Sequence, residues 1–129
     1  MTELLNNAYF WQKIDTLYVS LDYKRARISG DAHPQYSNLI YPCEYGYLID
    51  TDNDSEVIVK VFRGTKTPRR IDSIIVCADI LTKGMDIKLL VGCTDEEKMS
   101  ILEFLNSTSF QKTILVHRGD DVPSWAEND

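Results

Sequence analysis

The sequence predicts a small α+β domain, mainly β, with five or six strands flanked by two helices. Three observations carry that expectation. An apolar stripe at three- and four-residue spacing opens the chain. Short β-branched segments fill the middle. A capping box then leads into a second helical stripe. Strands clustered between helices point to a small antiparallel barrel or sandwich. The 129 residues make one domain of ordinary size, so 1–129 is read as a single unit. Such a domain buries a core without disulfide or metal staples.

The elements follow in order. From Thr2 to about Tyr18, Leu4, Leu5, Ala8, Tyr9 or Trp11, Ile14 and Leu17 share one face of a helix, with Thr2 as N-cap. Tyr18 to Ile28 mixes β-branched, aromatic and basic residues and reads as one strand or two short pieces. Gly30 and Pro34 mark a loop. Glu44 to Ile49 is a short strand and Glu56 to Phe62 a stronger one. Gly64, Pro68 and several basic residues make Arg63 to Arg70 a loop. Ile71 to Leu81 is β-rich, Lys83-Gly84 turns the chain, and Asp86 to Val91 is a further strand. Thr94 with Glu97 caps a helix whose stripe (Met99, Ile101, Leu102, Phe104, Leu105) runs to about Asn106. Lys112 to His117 is the last strand, and residues 119–129 read as an irregular acidic tail.

The net charge of −6 argues against a nucleic-acid partner, which usually meets a basic patch. It also repels phosphate-rich ligands unless cations stand between. The first residues lack a signal-peptide pattern, and no window approaches 18 uninterrupted apolar residues, so no membrane span is expected. Cys43, Cys77 and Cys93 are odd in number and form no C-x-x-C pair. Reduced, buried thiols in a cytoplasmic protein fit best.

Chemistry concentrates in three places. Asp50, Asp52, Asp54 and Glu56 alternate, and would share a face if the segment stayed extended. A solvated acidic turn is the plainer reading. The spacing is not that of a Ca²⁺ loop, which needs a glycine at its sixth position and a glutamate at its twelfth. Asp86 and Lys88, two apart on a strand, face the same side. They form either an ion pair or a metal-ligand carboxylate beside a phosphate-binding lysine. Arg25 and Arg27 are expected on one strand face, solvated or turned to an anion, and His33 either packs a loop or contacts phosphate. Lys60, Arg63, Lys66, Arg69 and Arg70 crowd one segment.

The run Y-P-C-E-Y-G-Y-L, from Tyr41 to Leu48, with a threonine following, resembles a signature of soluble family I inorganic pyrophosphatases. The later D-I-K-L-L, starting at Asp86, resembles that family's D-x-K-L segment. The likeness spans about Ser29 to Val91. It implies a closed, OB-like barrel and Mg²⁺-dependent hydrolysis of pyrophosphate or another small phosphorylated ligand. By that resemblance Tyr45 orders the metal-site network, Asp86 is a metal ligand and Lys88 binds phosphate. The family's central acidic run falls on Asp52, Asp54 and Glu56 as metal ligands, with Asp54 also catalytic. Arg25, Arg27, His33 and Tyr41 fall on the phosphate side. The chain also departs from the pattern. Ser55 replaces the proline of the acidic run, and Leu81 to Met85 lacks the further metal aspartate. The Tyr-Lys pair of the C-terminal helix region is missing from Phe104 to Thr108, and His33 falls near where an arginine stands. The pattern of Gly30, His33, Pro34 and Tyr36 resembles a short, divergent pyrophosphatase-like branch. Each lost stabiliser of transition-state charge typically costs on the order of 10²–10³ in rate. Two expectations therefore stand side by side: a weakened Mg²⁺-dependent phosphoanhydride hydrolase, and a non-catalytic ligand-binding or interaction protein. In the second, the N-terminal helix, with Trp11 and Tyr9, would pack on a partner or a second copy of the chain.

Overall fold

The computed structural model describes residues 8–54 and 56–118. Thr2 as N-cap, Leu4 and Leu5 of the expected helical stripe, Ser55 and the tail at 119–129 lie outside them. Helix α1 (Ala8–Ser20) precedes strands β1 (Asp22–Arg27), β2 (Glu44–Asp50), β3 (Glu56–Arg63), β4 (Ile71–Asp79) and β5 (Gly84–Val91). Helix α2 (Asp95–Leu105) and strand β6 (Gln111–His117) complete the chain.

The six strands form one sheet in the order β1-β2-β3-β5-β4-β6. All neighbours are antiparallel except β3 and β5, which run parallel with Lys60 opposite Lys88 and Phe62 opposite Leu90. The β4–β5 hairpin causes this mixture, because its second strand returns to β3 from the far side. β1 and β6 stand at opposite edges and do not pair with each other among the described residues, so the sheet is open rather than closed into the expected barrel.

The central strands show why an open sheet suits this sequence. Ile74-Ile75 on β4 and Leu89-Leu90-Val91 on β5 are consecutive buried residues, so both faces of the sheet are apolar. A helix covers each face. Trp11 and Ile14 of α1 pack with Leu48, Val61, Ile74 and Leu89. Ile101 and Leu105 of α2 pack with Tyr41, Phe62, Ile75 and Leu90 on the other face. Trp11 thus fills this chain's own core, at 2% exposure, whereas Tyr9 is exposed. Cys43, Cys77 and Cys93 are free and buried, as their spacing predicts.

Three local devices set the geometry. Thr94 accepts from the Glu97 amide while the Glu97 carboxylate accepts from the Thr94 amide, forming the capping box that starts α2. Gly46 lets the Tyr23 ring cross β2: a Cβ there would meet the Lys24 carbonyl oxygen at 2.5 Å and the ring at 2.7 Å. The β1–β2 register shifts between Arg25 and Arg27. It sets Arg25 opposite Gly46 and Arg27 opposite Tyr45, adjacent positions that point to opposite faces. The two arginines therefore do not share the face their spacing suggests. No helix among the described residues is long and apolar enough to cross a membrane.

Candidate functional site

The α2 face of the sheet carries a cavity of about 210 Å³ above β3, β5 and β4. Lys60 and Lys88 line one end, and Tyr36, Phe110 and Gln111 the other. A larger groove of about 600 Å³ on the α1 face is lined mainly by apolar side chains such as Phe10, Leu17, Val57 and Ile87, with Lys60 and Asp86 as its charged residues. Binding sites pair apolar walls with a few convergent polar groups, and the smaller cavity gathers more of these, among them Lys60, buried Lys88, Tyr45 and His33.

Its floor follows from strand alternation. Lys60 and Phe62 alternate with buried Val61, and Lys88 and Leu90 with buried Leu89, so the two lysines emerge side by side where β3 and β5 run parallel. Lys88 is 5% exposed, a burial that a lysine tolerates only with a partner. Its Nζ donates to Asp86 Oδ2 at 2.8 Å, and Lys60 Nζ stands 3.8 Å from the same oxygen. Burial alone would raise the Asp86 pKa. The hydrogen bond and charge of Lys88, with the charge of Lys60 and a hydrogen bond involving Cys77, outweigh it and hold the carboxyl below its usual range.

The walls are aromatic. Residues 28–41 form a strap held by its own backbone: Ala32 bridges Ile40, the His33 amide donates to the Leu39 carbonyl, and the Leu39 amide to Tyr36. The strap stacks His33 on Tyr41, with ring centroids 6.0 Å apart and planes 6° from parallel. The Gln35 amide donates to His33 Nδ1. Burial and the charge of Arg27 lower the His33 pKa, so its ring is neutral at pH 7 and packs the strap rather than adding a cation. Tyr41 packs on Phe104 at 4.7 Å and Tyr45 on Phe62 at 4.9 Å. Burial, then the neighbouring Tyr47, push the Tyr45 hydroxyl pKa far up, so it remains a hydrogen-bond donor.

The residues expected to hold Mg²⁺ are placed otherwise. Asp52 and Asp54 lie on an exposed turn between β2 and β3, and Glu56 begins β3, also exposed. That turn is organised by Asp50, whose Oδ1 accepts from the Asp52 amide and Oδ2 from the Asn53 side chain. Asp54, at φ 60°, completes it. The fourth candidate, Asp86, already receives two lysines. Among the described residues no three His, Cys, Asp or Glu side chains are grouped to hold a metal ion. Mg²⁺ requires near-octahedral oxygen ligation, and these residues do not fit it. The arrangement nevertheless gathers Lys88, Tyr45, Tyr41 and His33 around one cavity and brings Arg27 to its side, while Arg25 is turned away.

Sequence reasoning missed Lys60, Tyr36, Phe104 and Phe110 as cavity residues. Lys60 stood out only as one of several basic residues, because the parallel register that pairs it with Lys88 has no local signal. Tyr36 and Phe110 lie 74 positions apart (110 − 36), and their rings meet only through the strap, with centroids 6.2 Å apart.

Fold and cavity together define a mainly β, α+β domain with an aromatic cavity floored by two lysines. Neither a protein-family model nor a curated protein sequence matches the chain. Similar solved structures include an inorganic phosphatase from Anaplasma phagocytophilum, at 15% identity and a TM-score of 0.40, covering 76% of this chain and 75% of that one. They also include an inorganic pyrophosphatase from Helicobacter pylori, at 12% identity and a TM-score of 0.38, covering 84% and 83%. At these scores the likeness does not assign the chain to a family or an activity.

Proposed function

We propose that this protein binds a small phosphorylated ligand in the cavity between the strap and the sheet, through lysines rather than through a resident metal. The observation that carries this reading is the pair Lys60 and Lys88 set against one carboxylate, Asp86. One anion satisfies two cations only in part, and a phosphate group supplies the second. The rim adds Arg27, close enough to depress the His33 pKa, and the Tyr45 hydroxyl as a neutral donor. The burial of Lys88 strengthens its charge interaction relative to water.

Titration calorimetry with pyrophosphate in the presence of a chelator tests the reading. The expected result is metal-independent binding that weakens roughly 10- to 100-fold in Lys88→Met, the loss of one or two charge-assisted hydrogen bonds. Absence of binding in chelator, or equal binding by the variant, overturns it.

A second reading, Mg²⁺-dependent hydrolysis of pyrophosphate, is favoured by the adjacency of Asp86, Lys88 and Tyr45, the positions that the pyrophosphatase-like motifs mark. Phosphate release from pyrophosphate in Mg²⁺, abolished in Asp86→Asn, would establish that reading in place of the first.

A further inference from the structure

We infer that the ligand carries its phosphate on a planar aromatic ring, and that a nucleoside monophosphate is its representative form. This rests on the phosphate-binding reading above and deepens it.

The cavity has two unlike ends. Lys60 and Lys88 mark one, where Lys88 stands opposite Ile75. Gln111 stands opposite Asp79 at the other. From Ile75 to Asp79 is four residues, about 13 Å at the rise of a strand. A bare phosphate or pyrophosphate held by the lysines has nothing to bring to the far end. A phosphate linked through a sugar to a ring reaches it.

The far end is built for a ring. Tyr36 is 37% exposed, carried on the strap and not spent on the core. It faces half-buried Phe110 at 31° between ring planes. Apolar rings beside an inorganic anion only hinder its solvation, whereas the same rings gain by stacking on a base. Polar groups accompany them. Asp79 lines this end, with Oδ1 held by the amides of Leu81 and Thr82. The Thr108 hydroxyl is enclosed without a partner among the described residues. An acceptor beside stacking rings suits the N–H groups of a nucleobase. The volume of about 210 Å³ lies below the usual 300–1,000 Å³ of ligand pockets. That size excludes a dinucleotide.

Titration calorimetry on the full chain, with adenosine monophosphate, ribose 5-phosphate, pyrophosphate and adenosine, separates the contributions. Ribose 5-phosphate keeps the sugar and the phosphate and lacks only the ring. Adenosine monophosphate is expected to bind about tenfold tighter than ribose 5-phosphate, the yield of one stacked base. Tyr36→Leu and Phe110→Leu are expected to weaken adenosine monophosphate binding more than ribose 5-phosphate binding and so to remove most of that advantage. Tyr36 is exposed on the strap, so its variant decides the matter if the Phe110 variant does not fold. Equal affinity for the two monophosphates, or an advantage that survives both substitutions, overturns the ring inference and leaves phosphate binding standing. Adenosine binding as tightly as its monophosphate, or no binding by any phosphate compound, overturns the phosphate reading and the inference with it.

Discussion

Asp86 is where the metal-centred and lysine-centred readings separate, and it titrates accordingly. Its carboxyl is held below the ordinary value of 3.8 in the folded chain, chiefly because Lys88 outweighs the effect of burial. The unfolded chain thus takes up the proton first as pH falls. The stability that this pair contributes is present above about 3.8 and is lost as pH drops through the lower, folded value. Asp86→Asn is expected to flatten this acid dependence. At pH 7 it should cost about 1–2 kcal/mol, less than a fully buried pair, because the carboxylate is partly exposed. Urea unfolding at pH 7 and pH 3 checks both expectations. A variant as acid-sensitive as the parent would show that the pair contributes nothing. At this scale the sequence was informative, since two positions on one strand had to face the same way. Whether Lys88 would serve a ligand or merely its neighbour depended on Lys60, which only the parallel register brings near.

Among the elements, α2 shows how a legible local signal acquires a role its sequence did not announce. Thr94 and Glu97 stood out as a capping box, and they form one. Glu97 does more than cap. Its carboxylate also accepts from the amide and hydroxyl of Thr65, at 3.2 and 3.0 Å, tying the loop between β3 and β4 to the helix. Those bonds, with the Thr94 amide, hold the carboxyl below its usual range against the opposing effect of burial. Glu97→Ala is expected to destabilise the domain by about 1–2 kcal/mol, the loss of a cap together with charge-assisted bonds. Hydrogen exchange should then rise at residues 64–66 as well as in the first turn of α2. Protection lost from the helix alone would argue against the tie. The contact with Thr65 spans 32 positions, beyond any local pattern.

Across the whole molecule, one clamp joins the N-terminal helix to the end of the sheet. Arg118 meets Asp15 through two hydrogen bonds, at 2.7 and 3.1 Å, across 103 positions. It also donates to the Ile71 carbonyl and lies over the Trp11 ring, 5.6 Å from its centroid. Arg118→Ala is expected to cost about 1–2 kcal/mol, read as a lower urea midpoint, whereas Asp15→Asn keeps the stacking and costs less. Equal losses would place the contribution in the ion pair alone. The net charge of −6 acts at this scale too, slowing approach of any anion at low salt, while Lys60 and Lys88 make the cavity itself locally positive.

Local chemistry determined the elements: apolar periodicity placed the two helices, β-branched runs most of the strands, and Thr94 the start of α2, whereas Tyr18 to Ser20, read as strand, continue α1. It also made Asp50 to Asp54 a turn, because the short Asp50 carboxylate accepts from the Asp52 amide and from the Asn53 side chain, two and three residues on. Tertiary structure decided the rest. An open sheet with both faces covered takes the place of a barrel, because strand partners are chosen between distant segments and the β4–β5 hairpin returns to β3. A one-residue register shift sends Arg25 and Arg27 to opposite faces, a change that leaves no mark in the spacing of the residues. The cavity is the extreme case, since its lysines come from two strands and its rings from the strap, α2 and the segment before β6. No segment of the chain contains that site; it exists only where those surfaces meet.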